Sequence, residues 1–249
     1  MPRTAELAAM HLVGNALLLW LGYYWLGIGE STNARLLWSA CVFVCFVAGV
    51  LWLHGMALAH FDRQGARSLA ASAQLTLRHL LPLFVVLLIA VLVYDLLEQW
   101  KNAIEHQGFL LASFLTLHLR RPVKPETMRQ VLQVILWLLR WAAAPAVFLS
   151  WAARVAKHGW RGFRVRLGLR KRVWLYWAEV CVLIVCAVWA PLKLLAWVPK
   201  FESFNWQLVS FCLRLGAGYL LFVSALLALE FLTSAGRPER SQLNAAASP

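Results

Sequence analysis

The sequence predicts an all-α, polytopic helical membrane protein of about six transmembrane helices, with one short interfacial or re-entrant helix between the third and fourth. Two observations carry this. Of 249 residues, 61% are hydrophobic and only 14% are charged, whereas a soluble domain carries about a quarter charged residues. A chain this apolar lacks the polar surface to face water all round. Several apolar runs also reach the roughly 20 residues that a helix needs to cross a hydrocarbon core of about 30 Å. Lipid tolerates no exposed irregular backbone, so each run is read as a helix.

The first run, 7–28, is too long for the apolar region of a signal peptide. No small-residue cleavage site follows it, so it is expected to be an uncleaved span. The next spans are expected at 35–55, 80–98, 131–153, 174–198 and 206–232. Pro145 and Pro191 fall inside spans four and five and should kink them. The Gly-Ala-Gly stretch at 216–218 allows a neighbouring helix to come close. Residues 1–233 are read as one transmembrane bundle. Residues 234–249 are polar and rich in small residues, which predicts a disordered tail.

The stretch GFLLASFLTLHL at 108–119 is too short to span and is closed by RRPVKP. It is the interfacial or re-entrant helix of the prediction. Trp20, Trp25, Trp100, Trp174, Trp197 and Trp206 lie near the ends of the apolar runs, where an indole anchors at the interface. The five Cys are odd in number, form no CxxC and fall inside apolar runs. They read as small packing residues.

Basic residues set the expected orientation. They are in excess in the loops 56–79 and 154–173, which places those loops and both termini in the cytoplasm of a cell or inner membrane. The loop WRGFRVRLGLRKR at 160–172 holds Arg161, Arg164, Arg166, Arg170, Lys171 and Arg172. It serves as a topology signal. It also offers contact with anionic lipid headgroups, at about 1 kcal/mol per cation near the surface. No recognition fold stands beside it, so nucleic acid is not an expected partner.

Charges inside the spans are the main functional candidates. A translocon scale puts an Arg at a helix centre at about 2.5–3.5 kcal/mol. From the expected span limits, Arg140 and Arg214 both lie roughly 14 Å below the outer boundary. Asp95, Glu98 and Lys193 lie closer to it. Either the arginines pair with Asp95, Glu98 or backbone carbonyls, or they line a cationic pocket for a carboxylate, a phosphate or a lipid headgroup.

At the other end, His11, Asn15, His54 and His79 stand near the ends of spans one, two and three. Glu179 lies roughly 8 Å inside span five, and Glu230 closes span six. Histidines at one level are possible metal ligands, and His11, His54 and His79 form that weaker alternative. The default expectation is hydrogen bonding with no metal and no cofactor.

Enzyme motifs fail. DRQGAR at 62–67 resembles the DGxxAR opening of the CDP-alcohol phosphotransferases over six residues. Gly65 is out of place, however, and the downstream metal-binding aspartates are absent. There is no GxSxG, HExxH or GxxxxGK[ST]. The leading expectation is a non-enzymatic protein that binds or translocates a small anion or an anionic lipid. One alternative is an accessory subunit that meets a membrane protein partner or a second copy. Another is a lipid-modifying membrane enzyme.

Overall fold

The computed structural model describes residues 2–29, 31–61, 68–164, 173–200 and 203–234. Among these there are helices and no strands. They are α1 (Pro2–Leu26), α2 (Asn33–His60), α3 (Leu69–Arg78), α4 (Leu80–Leu119), α5 (Pro125–Leu138), α6 (Ala144–His158), α7 (Val173–Ile184), α8 (Ala190–Ala196) and α9 (Phe204–Ser234). Six segments are long and apolar enough to cross a membrane: Ala5–Leu26, Asn33–His60, Leu80–Leu119, Pro125–Phe163, Leu175–Ala196 and Phe204–Ser234. The chain is an all-α polytopic membrane protein. The expected tail, apart from Ser234, lies outside the described residues.

Local chemistry sets the helix starts. The Thr32 hydroxyl accepts from Arg35 N at the head of α2, and Ser68 accepts from Ala71 N at the head of α3. Each satisfies one of the backbone donors that a first turn leaves unpaired. The two in-span prolines act as expected, by a specific device. A π-turn at Leu139–Ala143 precedes Pro145, and another at Val185–Trp189 precedes Pro191. Ala144 N donates to Leu139 O and Ala190 N to Val185 O. The wider turn relieves the clash of the proline ring with the preceding turn.

The stretch 108–119 is helical, but it is not a separate interfacial or re-entrant element. It continues α4, which runs unbroken for 40 residues. The chain then reverses at Arg120, whose φ is 52°, and α5 returns antiparallel along α4. Gly108 makes this contact close, because a Cβ there would meet Arg129 N at 3.2 Å. Arg129 reaches Glu126 at 2.7 Å and Glu105 at 3.4 Å.

The second helix is the hub and packs against α1, α3, α4, α6 and α9. Leu53, Met56 and Ala57 meet Leu7 on one side, and Leu58 meets Leu83, Val86 and Val155 on another. Lipid is as apolar as a leucine, so close packing and interhelical hydrogen bonds hold such a bundle. Gly55 permits the approach of α3 and α4. A Cβ there would lie 2.7 Å from Thr76 Cγ2 and 3.0 Å from Leu83 Cδ1. In the Gly-Ala-Gly stretch a Cβ at Gly218 would meet Pro191 Cβ at 3.6 Å, an ordinary contact, and one at Gly216 would meet nothing within 4 Å.

Candidate metal centre

On α1, Leu7, His11 and Asn15 recur at helical spacing and are all buried. This places His11 on the inward stripe, wholly shielded from solvent. Asn15 Nδ2 donates to the His11 backbone carbonyl at 2.9 Å and so leaves the imidazole unengaged. The second and ninth helices run in the same direction with a fixed register. Ser234 Oγ donates to Leu58 O at 3.0 Å. One turn earlier, His54 Nδ1 meets Glu230 Oε1 at 2.6 Å. That register carries Glu230 to the level of His11, with His11 Nε2 3.6 Å from Glu230 Oε2. The His11 and His54 ring centroids are 5.5 Å apart.

Three side chains from three helices thus converge at one point. One ligand atom from each of His11, His54 and Glu230 lies within 4.8 Å of the others. Both ring nitrogens of His11 and Glu230 Oε2 are buried and have no hydrogen-bond partner. Buried polar atoms without a hydrogen bond cost free energy unless something engages them. Two imidazole nitrogens and a carboxylate oxygen form a donor set suited to zinc and its neighbours. Tetrahedral ligands at about 2.0–2.2 Å from zinc stand roughly 3.4 Å from one another. The 3.6 Å His11–Glu230 separation is already close to that. The His54–Glu230 pair would open by under an ångström. The His54 side chain keeps 24% exposure, so the site is open on one side.

His79 does not belong to this group. Its Nδ1 donates to Ala156 O at 2.9 Å, and its ring rests against Gly159, where a Cβ would lie 2.8 Å from His79 Cδ2. It fastens the start of α4 to the end of α6. Of the weaker alternative His11, His54 and His79, the structure brings together His11 and His54, with Glu230 rather than His79 beside them. Glu230 was visible as a carboxylate inside a span. What pairs it with histidine is the α2–α9 register.

The arginines lie elsewhere and have separate partners. Arg140 donates to Glu98 Oε2 at 2.6 Å, and Tyr94 donates to the Arg140 carbonyl at 2.9 Å. The structure thus pairs Arg140 with Glu98, one of the partners expected for it. The segment that carries Arg140 begins at Pro125. Asp95 is not its partner and accepts from Gln99 at 2.8 Å. Arg214 is buried on α9 and donates to the carbonyls of Ser210, Leu195 and Trp197. It closes the end of α8. Lys193 is exposed, with its ammonium 5.7 Å from the Trp189 ring centroid. In the basic loop, Arg161 and Arg164 are exposed, whereas Arg166, Arg170, Lys171 and Arg172 lie outside the described residues.

Comparison with protein-family models, with curated proteins and with solved structures finds no match. The fold and the site together define a class, a multi-pass membrane protein with a histidine–carboxylate cluster inside its bundle.

Proposed function

We propose that this protein binds a divalent transition-metal ion, of the zinc class, at His11, His54 and Glu230. The observation that carries this reading is the set of buried ligand atoms on His11 and Glu230 that lack a hydrogen bond and converge with His54. Three protein ligands leave a fourth position for water or a guest. That composition suits a site that exchanges or activates what it binds better than a closed structural site. The deciding experiment is metal analysis of the purified chain after equilibration with zinc and removal of free ion. Wild type should retain about one zinc, and Glu230→Gln should retain far less. Equal retention by both would remove the proposal.

A second reading keeps the anion or anionic lipid at the Arg140 end. The Arg140 side chain is 34% exposed, which favours it. Its test is a panel of anions and anionic lipids against thermal stability, with Arg140→Leu as the control. A ligand that stabilises only wild type supports this site. The cytoplasmic placement of both termini in a cell membrane rests on the basic residues of 56–79 and 154–173 and belongs to this proposal.

A further inference from the structure

His11 has no hydrogen bond on either ring nitrogen, so its place beside Glu230 is set by the α1 backbone that carries it. Asn15 Nδ2 holds that backbone from within α1, at the His11 carbonyl. A bond inside one helix does not fix where the helix stands against its neighbours. A bond from α9 does. The Tyr219 hydroxyl donates to the carbonyl of Leu12, the residue after His11. Roughly three turns and about 16 Å of α9 separate Tyr219 from Glu230, so the two lie on nearly one face of that helix. The ninth helix thus meets the same turn of α1 by two side chains. One is a hydroxyl at the Leu12 carbonyl, and the other is a carboxylate whose Oε2 lies 3.6 Å from His11 Nε2.

The packing of α1 on α2 leaves that distance some freedom. Where the two helices come closest, the contacts are with the ends of leucine side chains. A Cβ at Gly14 would meet Leu53 Cδ2 at 2.9 Å, and one at Gly49 would meet Leu18 Cδ2 at 2.8 Å. Such ends yield by fractions of an ångström, whereas a hydrogen bond to backbone is directional. The Trp25–Ser39 bond also ties α1 to α2, but about 21 Å further along α1 than His11. A zinc site holds its ligand distances within about 0.2 Å. We infer that Tyr219 is a positioning residue of the proposed metal site, one that fixes α1 against α9 so that His11 meets the ion held by Glu230 and His54. The inference rests on the metal reading above. It makes α9 the reference for the whole site. Glu230 supplies a ligand, Ser234 sets the register of α2 through Leu58, and Tyr219 sets that of α1 through Leu12.

The test is zinc titration of the full chain in detergent, with the metal-free melting temperature recorded for each variant. Tyr219→Phe removes one oxygen and keeps the packing of the ring. It should lower zinc affinity about 10–100-fold, the range for loss of an outer-shell partner. Replacement of Tyr219 by 4-aminophenylalanine keeps a donor in the same place and should restore most of that affinity. Tyr94 makes the same kind of bond, from its hydroxyl to the Arg140 carbonyl, and Tyr94→Phe should bind zinc like wild type. In a His11→Ala background Tyr219→Phe should cost no further affinity, because residues that act through one another are not additive. Wild-type affinity in Tyr219→Phe would overturn the inference and leave the metal reading in place. An equal loss in Tyr94→Phe, or the same loss in the His11→Ala background, would mark a general loosening of the bundle and overturn it too. So would a Tyr219→Phe chain that no longer folds, which would make Tyr219 a tie of the bundle alone. A wild type that binds no zinc would remove the metal reading itself, and this inference with it.

Discussion

His54 and Glu230 stand 176 residues apart in the chain, yet His54 Nδ1 lies 2.6 Å from Glu230 Oε1. The contact repeats one turn later, where Ser234 bonds the Leu58 carbonyl at the same sequence separation. Two parallel helices locked at one register thus carry a carboxylate to a histidine. The first helix then adds His11 at 3.6 Å. In this bundle the register of α9 against α2 matters to the site as much as the residue types do.

Removal of any one ligand should lower zinc affinity by more than about 100-fold, because loss of an outer-shell partner alone costs about 10–100-fold. Titration of wild type, His11→Ala, His54→Ala and Glu230→Gln with zinc measures this. His79→Ala should bind zinc like wild type and be less stable, since its ring ties α4 to α6. Zinc at 100 times its dissociation constant should stabilise wild type by about 2.7 kcal/mol and leave Glu230→Gln unmoved. A wild type without that gain would refute the site.

Arg214 and Arg140 should behave oppositely on substitution. Arg214 is 8% exposed, and its guanidinium serves the carbonyls of Leu195 and Trp197, where α8 ends. Arg214→Leu leaves those carbonyls unmet and should destabilise by about 2–4 kcal/mol. Arg140→Leu breaks a pair whose side chains are 34% and 41% exposed, and exposed pairs contribute little. Its melting temperature should move less than that of Arg214→Leu. Thermal unfolding of the two variants in one detergent decides the order.

Two glycines give a sharper packing test. A Cβ at Gly162 would lie 2.9 Å from the backbone C and O of Arg154 and from Val155 Cα. Backbone cannot yield as a side chain can, so Gly162→Ala should destabilise by about 1–3 kcal/mol, the usual range for overpacking. Gly216 meets nothing within 4 Å. Gly216→Ala in the middle of α9 should be neutral or stabilise by about 0.5–1 kcal/mol. Unfolding midpoints of the pair should therefore move in different directions.

The spans were legible because length and apolarity are local properties, and the bilayer fixes both. The level of His11 and His54 was legible for the same reason. The third ligand was not, because the α2–α9 register arises from tertiary contacts such as Ser234 to Leu58, which no local pattern encodes. The expectation of a separate helix at 108–119 went astray through a related cause. The polar stretch DLLEQWKNAIEHQ, from Asp95 to Gln107, looks like the end of a span, yet its residues remain good helix formers. Glu105 and Glu98 are matched there by Arg129 and Arg140 on the returning helix. The helix continues to Leu119.

That continuity is measurable. If α4 runs unbroken to Leu119, Lys101 and Leu117 are separated by about 24 Å along one axis. Spin labels at Lys101→Cys and Leu117→Cys, in a background without the five native cysteines, should give a narrow distance distribution around that spacing, broadened by the label arms. A re-entrant turn between them would bring the labels much closer. The same pair should keep its distance in Arg140→Leu, because α5 is held to α4 through Gly108 and Arg129 as well as through the Glu98 pair. A collapse of the distance in that variant would mean that the single Arg140–Glu98 ion pair holds the hairpin straight, and that the Gly108 contact contributes little.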